Sequence, residues 1–181
     1  LLLLLGLAVT AHPADAAWPH DPNSGNVAVT TATGAQESAQ AIPDGAGGMI
    51  VVWHDQRGAS FDIYVQRISA AGIPMWTANG VALSTATDEQ SLPQIISDGA
   101  GGAIVAWNDR RGGTNFDIYA RRINAAGVPQ WTANGVAVCT ASLNQLYPAM
   151  APDGVGGAII TWADSRNVFS GDDIYAQRLN S

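Results

Sequence analysis

Residues 97–138, SDGAGGAIVAWNDRRGGTNFDIYARRINAAGVPQWTANGVAV, decide the fold, because one close copy of this stretch precedes it and another follows it. Corresponding Asp-Gly pairs begin at Asp44, Asp98 and Asp153, which are 54 and 55 residues apart. The motif Asp-Ile-Tyr recurs in all three copies, at Asp62, Asp117 and Asp173. Such a period indicates a modular array, in which each block folds as one unit and stacks against its neighbours.

Each copy contains four short segments rich in β-branched and aromatic residues. In the middle copy they lie around residues 93–97, 102–108, 116–124 and 128–138. No segment has helical spacing over ten or more residues, and the connections DGAGG and NAAG are typical of hairpin turns. The pattern therefore predicts a four-stranded antiparallel meander.

The second segment of each meander is apolar on both faces, as GAIVAW at residues 102–107 illustrates. A strand of this kind must be covered on both sides. Sheets stacked face to face around an axis provide that cover, whereas a flat sandwich would leave one polar face per strand. We therefore predict an all-β fold of β-propeller blades rather than a sandwich or a solenoid.

The copies divide the chain into residues 18–75, 76–130 and 131–181, and the third copy lacks its fourth strand. Residues 18–29 match a fourth strand alone, as though an N-terminal strand completed the last blade. Three blades are fewer than the roughly four to eight of closed propellers. The sequence is therefore either part of a longer array or one of two chains that combine. We favour a fragment, because the chain starts inside the predicted leader.

Residues 1–17, LLLLLGLAVTAHPADAA, resemble the end of a secretory signal, with an apolar run followed by Ala14 and Ala16 in A-x-A spacing. We therefore expect a secreted, periplasmic or cell-surface protein with no membrane insertion. The formal charge is −7, with eight arginines and no lysine, which argues against nucleic acid as a partner. Cys139 is the single cysteine and aligns with Ser84, which predicts a small space-filling side chain.

Each copy places a tryptophan, an aspartate and an arginine at alternate positions, on one face at the end of the second strand. One interpretation is a ring of charged side chains around a ligand channel. The other, which we favour because the set recurs in every copy, is a structural lattice of Asp, Arg and Tyr. The residues of this set are Trp53, Asp55, Arg57, Trp107, Asp109, Arg111, Trp162, Asp164 and Arg166.

The copies differ in two connections, between the second and third strands and between one copy and the next. In an antiparallel meander both connections emerge on the same rim, and variable loops on a repeated scaffold are where recognition usually resides. Loop drift without selection explains the variation equally well. The candidate binding rim comprises Phe61, Asp88, Glu89, Asn115, Phe116, Tyr147 and Phe169.

Recognisable catalytic and cofactor motifs are missing from the sequence. The DGAGG turns do not have the alternating carboxylates of a calcium loop, and GAGG is followed by neither Lys-Ser/Thr nor a helix. His20 and His54 occupy non-equivalent positions with no recognisable Ser or Cys partner, and metal-ligand spacing is absent. We therefore predict no cofactor, no metal and no catalytic residue.

Residues 43–72, PDGAGGMIVVWHDQRGASFDIYVQRISAAG, resemble the WD40-like repeats of the TolB-type propeller, with a PDG turn, an apolar strand and a DIY-like third strand. They are also similar to repeats of secreted bacterial proteins of unknown role. The resemblance covers nearly all of the chain after the leader and implies propeller architecture. The longer repeat and the added Trp76 and Trp131 depart from the TolB-type pattern.

Three functions remain open at this stage. The preferred one is an exported, non-catalytic module that binds protein or polysaccharide through its variable rim, and whether the chain is an enzyme stays uncertain. A structural spacer for other domains on a cell surface is not separable from it by sequence. The alternative is a fragment of a sialidase-like glycoside hydrolase, suggested by Arg57, Arg111 and Arg166 in separate blades. That alternative is weakened because a catalytic centre is asymmetric and the Asp box S-x-D-x-G-x-x-W is missing.

Overall fold

The computed structural model describes residue 23, residues 25–169 and residues 171–181. The predicted leader, residues 1–17, lies outside the described residues. Within the described part every regular element is a β-strand, so the fold is all-β as predicted. The strands are β1 (Gln36–Pro43), β2 (Met49–Asp55), β3 (Asp62–Ile68), β4 (Val81–Ser84), β5 (Gln90–Ser97), β6 (Ala103–Asp109), β7 (Asp117–Ile123), β8 (Val136–Cys139), β9 (Gln145–Pro152), β10 (Ala158–Asp164) and β11 (Asp173–Leu179).

The strands form three antiparallel sheets in which each strand pairs with its neighbour in sequence. The first sheet has the order β1-β2-β3-β4, the second β5-β6-β7-β8, and the third, with three strands, β9-β10-β11. Equivalent residues pair in each, as in Trp53 with Tyr64 and Trp107 with Tyr119. No helix in the described part is long and apolar enough to cross a membrane.

The three sheets stack face to face, with the second sheet in the middle. One hydrophobic core lies between the first and second sheets and includes Val52, Val65 and Trp107. The other lies between the second and third sheets and includes Ile118 and Ile160. All seven residues of β6 are buried, because an apolar strand covered on both faces exposes nothing to water.

The first strand of each sheet is interrupted at a matched position by a β-bulge. The register of β1 and β5 shifts between residues 37 and 40 and between residues 91 and 94. At this point Ser38, Leu92 and Tyr147 have φ angles of 53°, 51° and 58°, in the left-handed region that non-glycine residues rarely occupy. We call Ser38, Leu92 and Tyr147 the bulge residues.

The fourth strands are much shorter than predicted. The sequence suggested a strand over residues 128–138, but β8 covers four residues, and before it only an isolated bridge joins Pro129 to Ile123. Trp131, Asn134 and Gly135 all have positive φ, so the intervening chain turns instead of extending. A Cβ on Gly135 would lie 2.6 Å from Trp107 Cη2, so this turn must approach the indole closely.

Residues 27–30 are held by the first sheet in the way that β4 is held by the second sheet. The N–H of Thr31 donates to Asn79 Oδ1 at 2.9 Å, and the N–H of Thr85 donates to Asn134 Oδ1 at 3.1 Å. The sequence VAVT at residues 27–30 corresponds to VALS in β4 and VAVC in β8. These residues are not part of a strand, however, because they pair with no strand of the described chain.

Candidate functional site

The recurring tryptophan, aspartate and arginine form one hydrogen-bonded cluster in each sheet. In the first sheet Trp53 Nε1 donates to Asp55 Oδ2 at 2.7 Å. Arg57 donates to both oxygens of Asp55, at 2.9 Å from Nε and 2.6 Å from Nη2. The guanidinium carbon lies 3.7 Å from the ring centroid of Tyr64. Each side chain therefore uses its most polar groups within the sheet.

The same cluster recurs in the other two sheets. Asp109 and Asp164 accept from their tryptophan and arginine in the same way, at 2.8 Å from each indole nitrogen. Arg111 also donates to the carbonyl of Asn134, just before β8. In the third sheet Arg166 Nη2 instead lies 3.1 Å from Cys139 Sγ, in the last strand of the second sheet.

Hydrogen bonding and charge pairing favour the ionised form of Asp55. Burial raises the pKa of Asp55, but the hydrogen bonds from Arg57, Trp53 and the backbone outweigh burial, so the pKa is lowered overall. Asp62 lies directly opposite Asp55 in the sheet. Burial and the negative charge of Asp55 together raise the pKa of Asp62 to about 6.

A second recurring cluster fixes the Asp-Gly turns. Asp44 Oδ1 accepts from the N–H groups of Ala46 and Gly48, both at 2.8 Å. Its other oxygen accepts from Arg67 Nε at 2.8 Å. Asp98 pairs with Arg122 and Asp153 with Arg178 in the same geometry. These aspartates therefore hold a turn to the third strand of their own sheet.

Hydrogen bonds between the first and second sheets lie close to these Asp-Gly turns. Arg67 Nη1 and Trp76 Nε1 both donate to the carbonyl of Ala125, at 3.3 and 3.4 Å, in the turn after β7. A Cβ on Gly127 would lie 2.5 Å from Trp76 Cδ1, so a glycine is needed for this approach. Trp76, which precedes β4 of the first sheet, thus packs against the turn that follows β7 of the second sheet.

The variable connections meet on one rim, and backbone hydrogen bonds join those of adjacent sheets. The N–H of Gln90 donates to the carbonyl of Phe61 at 2.8 Å, and that of Gln145 to Phe116 at 2.7 Å. The N–H of Arg110 likewise donates to the carbonyl of Glu89 at 2.8 Å. The connection that leaves one sheet therefore lies beside the connection that enters the next.

The candidate rim residues fall into groups rather than one patch. Phe61 is half-buried, with its ring 4.5 Å from that of His54, and Asp88 and Glu89 lie in the adjoining connection. Phe116 is half-buried beside Asn115, and its N–H donates to Asn144 Oδ1.

The two remaining rim residues are the exposed aromatics. Tyr147 lies within β9 rather than in a loop, and it is 66% exposed. Phe169, 97% exposed, stands apart in the connection before β11. These two rings offer the rim's accessible aromatic surface.

Two of the bulge residues, Leu92 and Tyr147, are supported by the preceding sheet. The N–H of Leu92 donates to His54 Nδ1 at 3.4 Å, and the N–H of Tyr147 donates to Asn108 Oδ1 at 3.1 Å. Burial lowers the pKa of His54. Backbone outliers held in place by their surroundings often occur at functional sites. Sequence reasoning missed Ser38 and Leu92, although both align with Tyr147 in the repeat.

A recurrent glutamine was also missed. Gln90 and Gln145 are fully buried, and each amide nitrogen donates to two carbonyls of the preceding connection. Gln36 makes the same two bonds in the first copy, to Thr33 and Gly34. The signal was present in the sequence, since the three glutamines are 54 and 55 residues apart. The three glutamines therefore hold the backbone of the rim connections through these hydrogen bonds.

Within the described residues no three His, Cys, Asp or Glu side chains are placed to hold a metal ion. The recurring arginines are engaged by aspartate and tyrosine, which occupy the groups that a bound anion would need. What the arrangement offers chemically is therefore a rigid scaffold with accessible aromatic and polar side chains on one rim.

Comparison with known proteins gives no relative. No family model matches the chain, and no curated protein and no solved structure matches it either.

Proposed function

We propose that this chain is an exported, non-catalytic β-propeller repeat protein that binds protein or polysaccharide through its variable rim. The observation that carries the proposal is that the recurring polar side chains bond within the sheets, whereas two aromatic side chains of the rim are exposed to solvent. The recurring Asp and Arg groups are consumed in internal hydrogen bonds, as Asp109 and Arg111 illustrate. Tyr147 and Phe169 project into solvent with no core role.

Aromatic rings suit both classes of partner. A flat exposed ring offers a large apolar surface at a low cost in side-chain entropy, which is why aromatic residues are enriched where proteins bind. The same ring stacks on the apolar face of a sugar. Tyr147 is also positioned by a backbone hydrogen bond to Asn108 Oδ1, so its location is fixed before any partner arrives.

The test is a binding screen against a glycan array and a panel of polysaccharides, followed by titration of the hits. We expect Tyr147→Ala and Phe169→Ala to weaken binding at least about tenfold, the loss of roughly 1.4 kcal/mol. Val128→Ala is the matched control, because Val128 is 51% exposed but lies after the uniform turn that follows β7, away from the rim. Binding that survives both aromatic substitutions would contradict the proposal.

The hydrolase alternative makes a different prediction in the same assay. A sialidase-like enzyme would cleave a sialoside substrate through its arginines, so Arg111→Lys would abolish turnover because lysine cannot make the two-pronged contact with a carboxylate. Rim substitutions would leave turnover unchanged. We expect no hydrolysis of the sialoside by the parent chain.

A further inference from the structure

The outward face of the third sheet is apolar but bare. Ile159 is 42% exposed and Ile174 is 76% exposed. Their counterparts in the second sheet are Ile104 and Ile118, which are completely buried against the third sheet. The bare face therefore has the residue pattern of a face that, one sheet earlier, is covered by a neighbouring sheet. Large exposed apolar patches mark interaction sites.

The edge of the third sheet is open as well. β3 and β7 each pair with a short fourth strand, β4 and β8. The outer edge of β11 pairs with no strand in the part of the chain that the structure describes. An unpaired strand edge is a template for another strand. The missing partner is defined by the register of the other sheets, in which Ala137 lies opposite Tyr119 and Ala82 opposite Tyr64.

The chain itself carries a matching segment. Residues 27–30 have the sequence of a fourth strand, and they are held against the first sheet as β4 is held against the second. Val29 and Thr30 line one small cavity together with Val51 and Trp53. Val51 and Trp53 are 7% and 2% exposed and correspond to Val105 and Trp107 of the middle sheet. The first sheet thus presents the kind of surface that the third sheet's bare face would meet.

We propose that the bare face and open edge of the third sheet bind the first sheet of a second copy of this chain, with residues 27–30 of that copy pairing with β11 as a fourth strand. In this register Ala28 of the second copy lies opposite Tyr175, as Ala137 lies opposite Tyr119. The contact is heterologous, because two different surfaces meet, and two such contacts close a ring of two chains. Six sheets fall within the range of about four to eight found in closed propellers.

This inference does not depend on what the rim binds. It rests on the sheet faces and on residues 27–30, and the rim residue Tyr147, which lies beside the second sheet, takes no part in it. The variant Tyr147→Ala therefore weakens binding to a sugar or protein but keeps self-association. The two proposals can fail separately.

The experiment measures the molar mass of the purified chain by analytical ultracentrifugation up to about 100 μM, a range in which micromolar contacts are populated. We expect two chains per particle. Ile174→Lys places a charge on the bare face, and Ala28→Pro removes a donor from the added strand. Both residues are exposed in the single chain, so both variants should fold, and each should weaken association at least about tenfold.

Mixing the two variants tests the head-to-tail geometry. Ile174→Lys retains an intact first sheet and Ala28→Pro retains an intact third sheet, so an equimolar mixture should form one good contact and recover a two-chain particle. Val128→Lys is the control, because Val128 is 51% exposed in the connection between β7 and β8, although the second sheet itself is covered on both faces. A parent chain that stays monomeric, or association insensitive to Ile174→Lys, would overturn the proposal.

Discussion

The second and third sheets carry nearly the same strands in different surroundings. In the second sheet Ile104 and Ile118 are fully buried, because the third sheet covers them. In the third sheet Ile159 and Ile174, at the same positions, are 42% and 76% exposed. Burial of these side chains is thus decided by the neighbouring sheet and not by the strand that carries them.

This difference is the expected behaviour of a stacked array. Each unit contributes its own internal bonds, and each interface between units contributes separately, so stability is close to a sum of local terms. The internal clusters around Asp109 and Asp164 are almost identical. The interfaces are not, because the second sheet has two and the third sheet has one among the described residues. Matched substitutions in the two sheets therefore separate internal from interfacial contributions.

The largest expected effect is on the buried aspartates. Asp109→Ala leaves Arg111 and the indole N–H of Trp107 without their acceptor, and breaking a buried ion pair costs about 3–5 kcal/mol. Asp164→Ala should cost less, because the Arg166 side chain is 32% exposed against 22% for Arg111 and so recovers more water. Urea unfolding of both variants measures the difference. An equal loss would mean that exposure of the arginine is irrelevant.

The next effect isolates the interface. Ile118→Ala should lower the free energy of unfolding by about 2–4 kcal/mol, the usual cost of truncating a buried isoleucine. Ile174→Ala should change it by less than about 0.5 kcal/mol, as for most surface substitutions. The measurement is urea unfolding at low protein concentration, where chains are single. Similar losses in both variants would show that the face of the third sheet is covered within one chain.

The sequence predicted the parts of this comparison that depend on composition and spacing. A strand such as β6, apolar on both faces, had to be covered on both faces, and all of its residues are buried. The alternation of Trp107, Asp109 and Arg111 placed the three side chains on one face, where they now share hydrogen bonds. Both inferences rely on the period of two residues in a strand, which is a local property of the backbone.

The remainder depended on contacts that no local pattern encodes. The fourth strands were predicted too long because residues 128–135 have strand-like composition, yet they turn so that Gly135 can approach Trp107. The bulges at Leu92 and Tyr147 are likewise stabilised by the preceding sheet. The same positive φ angle recurs at Ser38 in the first sheet, so the bulge belongs to each repeated unit, and the spacing of apolar residues does not reveal it.

A third effect concerns the aspartates of the Asp-Ile-Tyr motifs in the two four-stranded sheets. Burial and Asp55 raise the pKa of Asp62 to about 6, and burial also raises that of Asp117. A folded-state pKa above the unfolded value near 3.8 means that folding favours the protonated acid. Its contribution to stability is therefore complete below about pH 4 and lost as the pH rises to about 6.

Asp62→Asn removes this titration, because asparagine stays neutral. We expect the variant to be more stable than the parent by up to about 3 kcal/mol at pH 7, because raising the pKa from 3.8 to about 6 costs about 1.4 kcal/mol for each pKa unit, and to show no gain at pH 3.5. Urea unfolding at the two pH values measures this. A gain that is the same at both values would point to a cause other than the charge of Asp62.

The smallest effect lies at the turns, and it also reports on the proposed second copy. Arg122→Ala removes the arginine that pairs with Asp98. The Arg122 side chain is 22% exposed, and its loss should lower the free energy of unfolding by about 1 kcal/mol. Arg178 pairs with Asp153 in the same way, but its side chain is 53% exposed. Arg178→Ala should therefore lower the free energy of unfolding by less, and the loss should disappear in high salt, because exposed ion pairs are screened. If a second copy covers the third sheet, Arg178 becomes less exposed and the two losses should converge as protein concentration rises. If the two losses stay different at every protein concentration, the third sheet is not covered by a second copy.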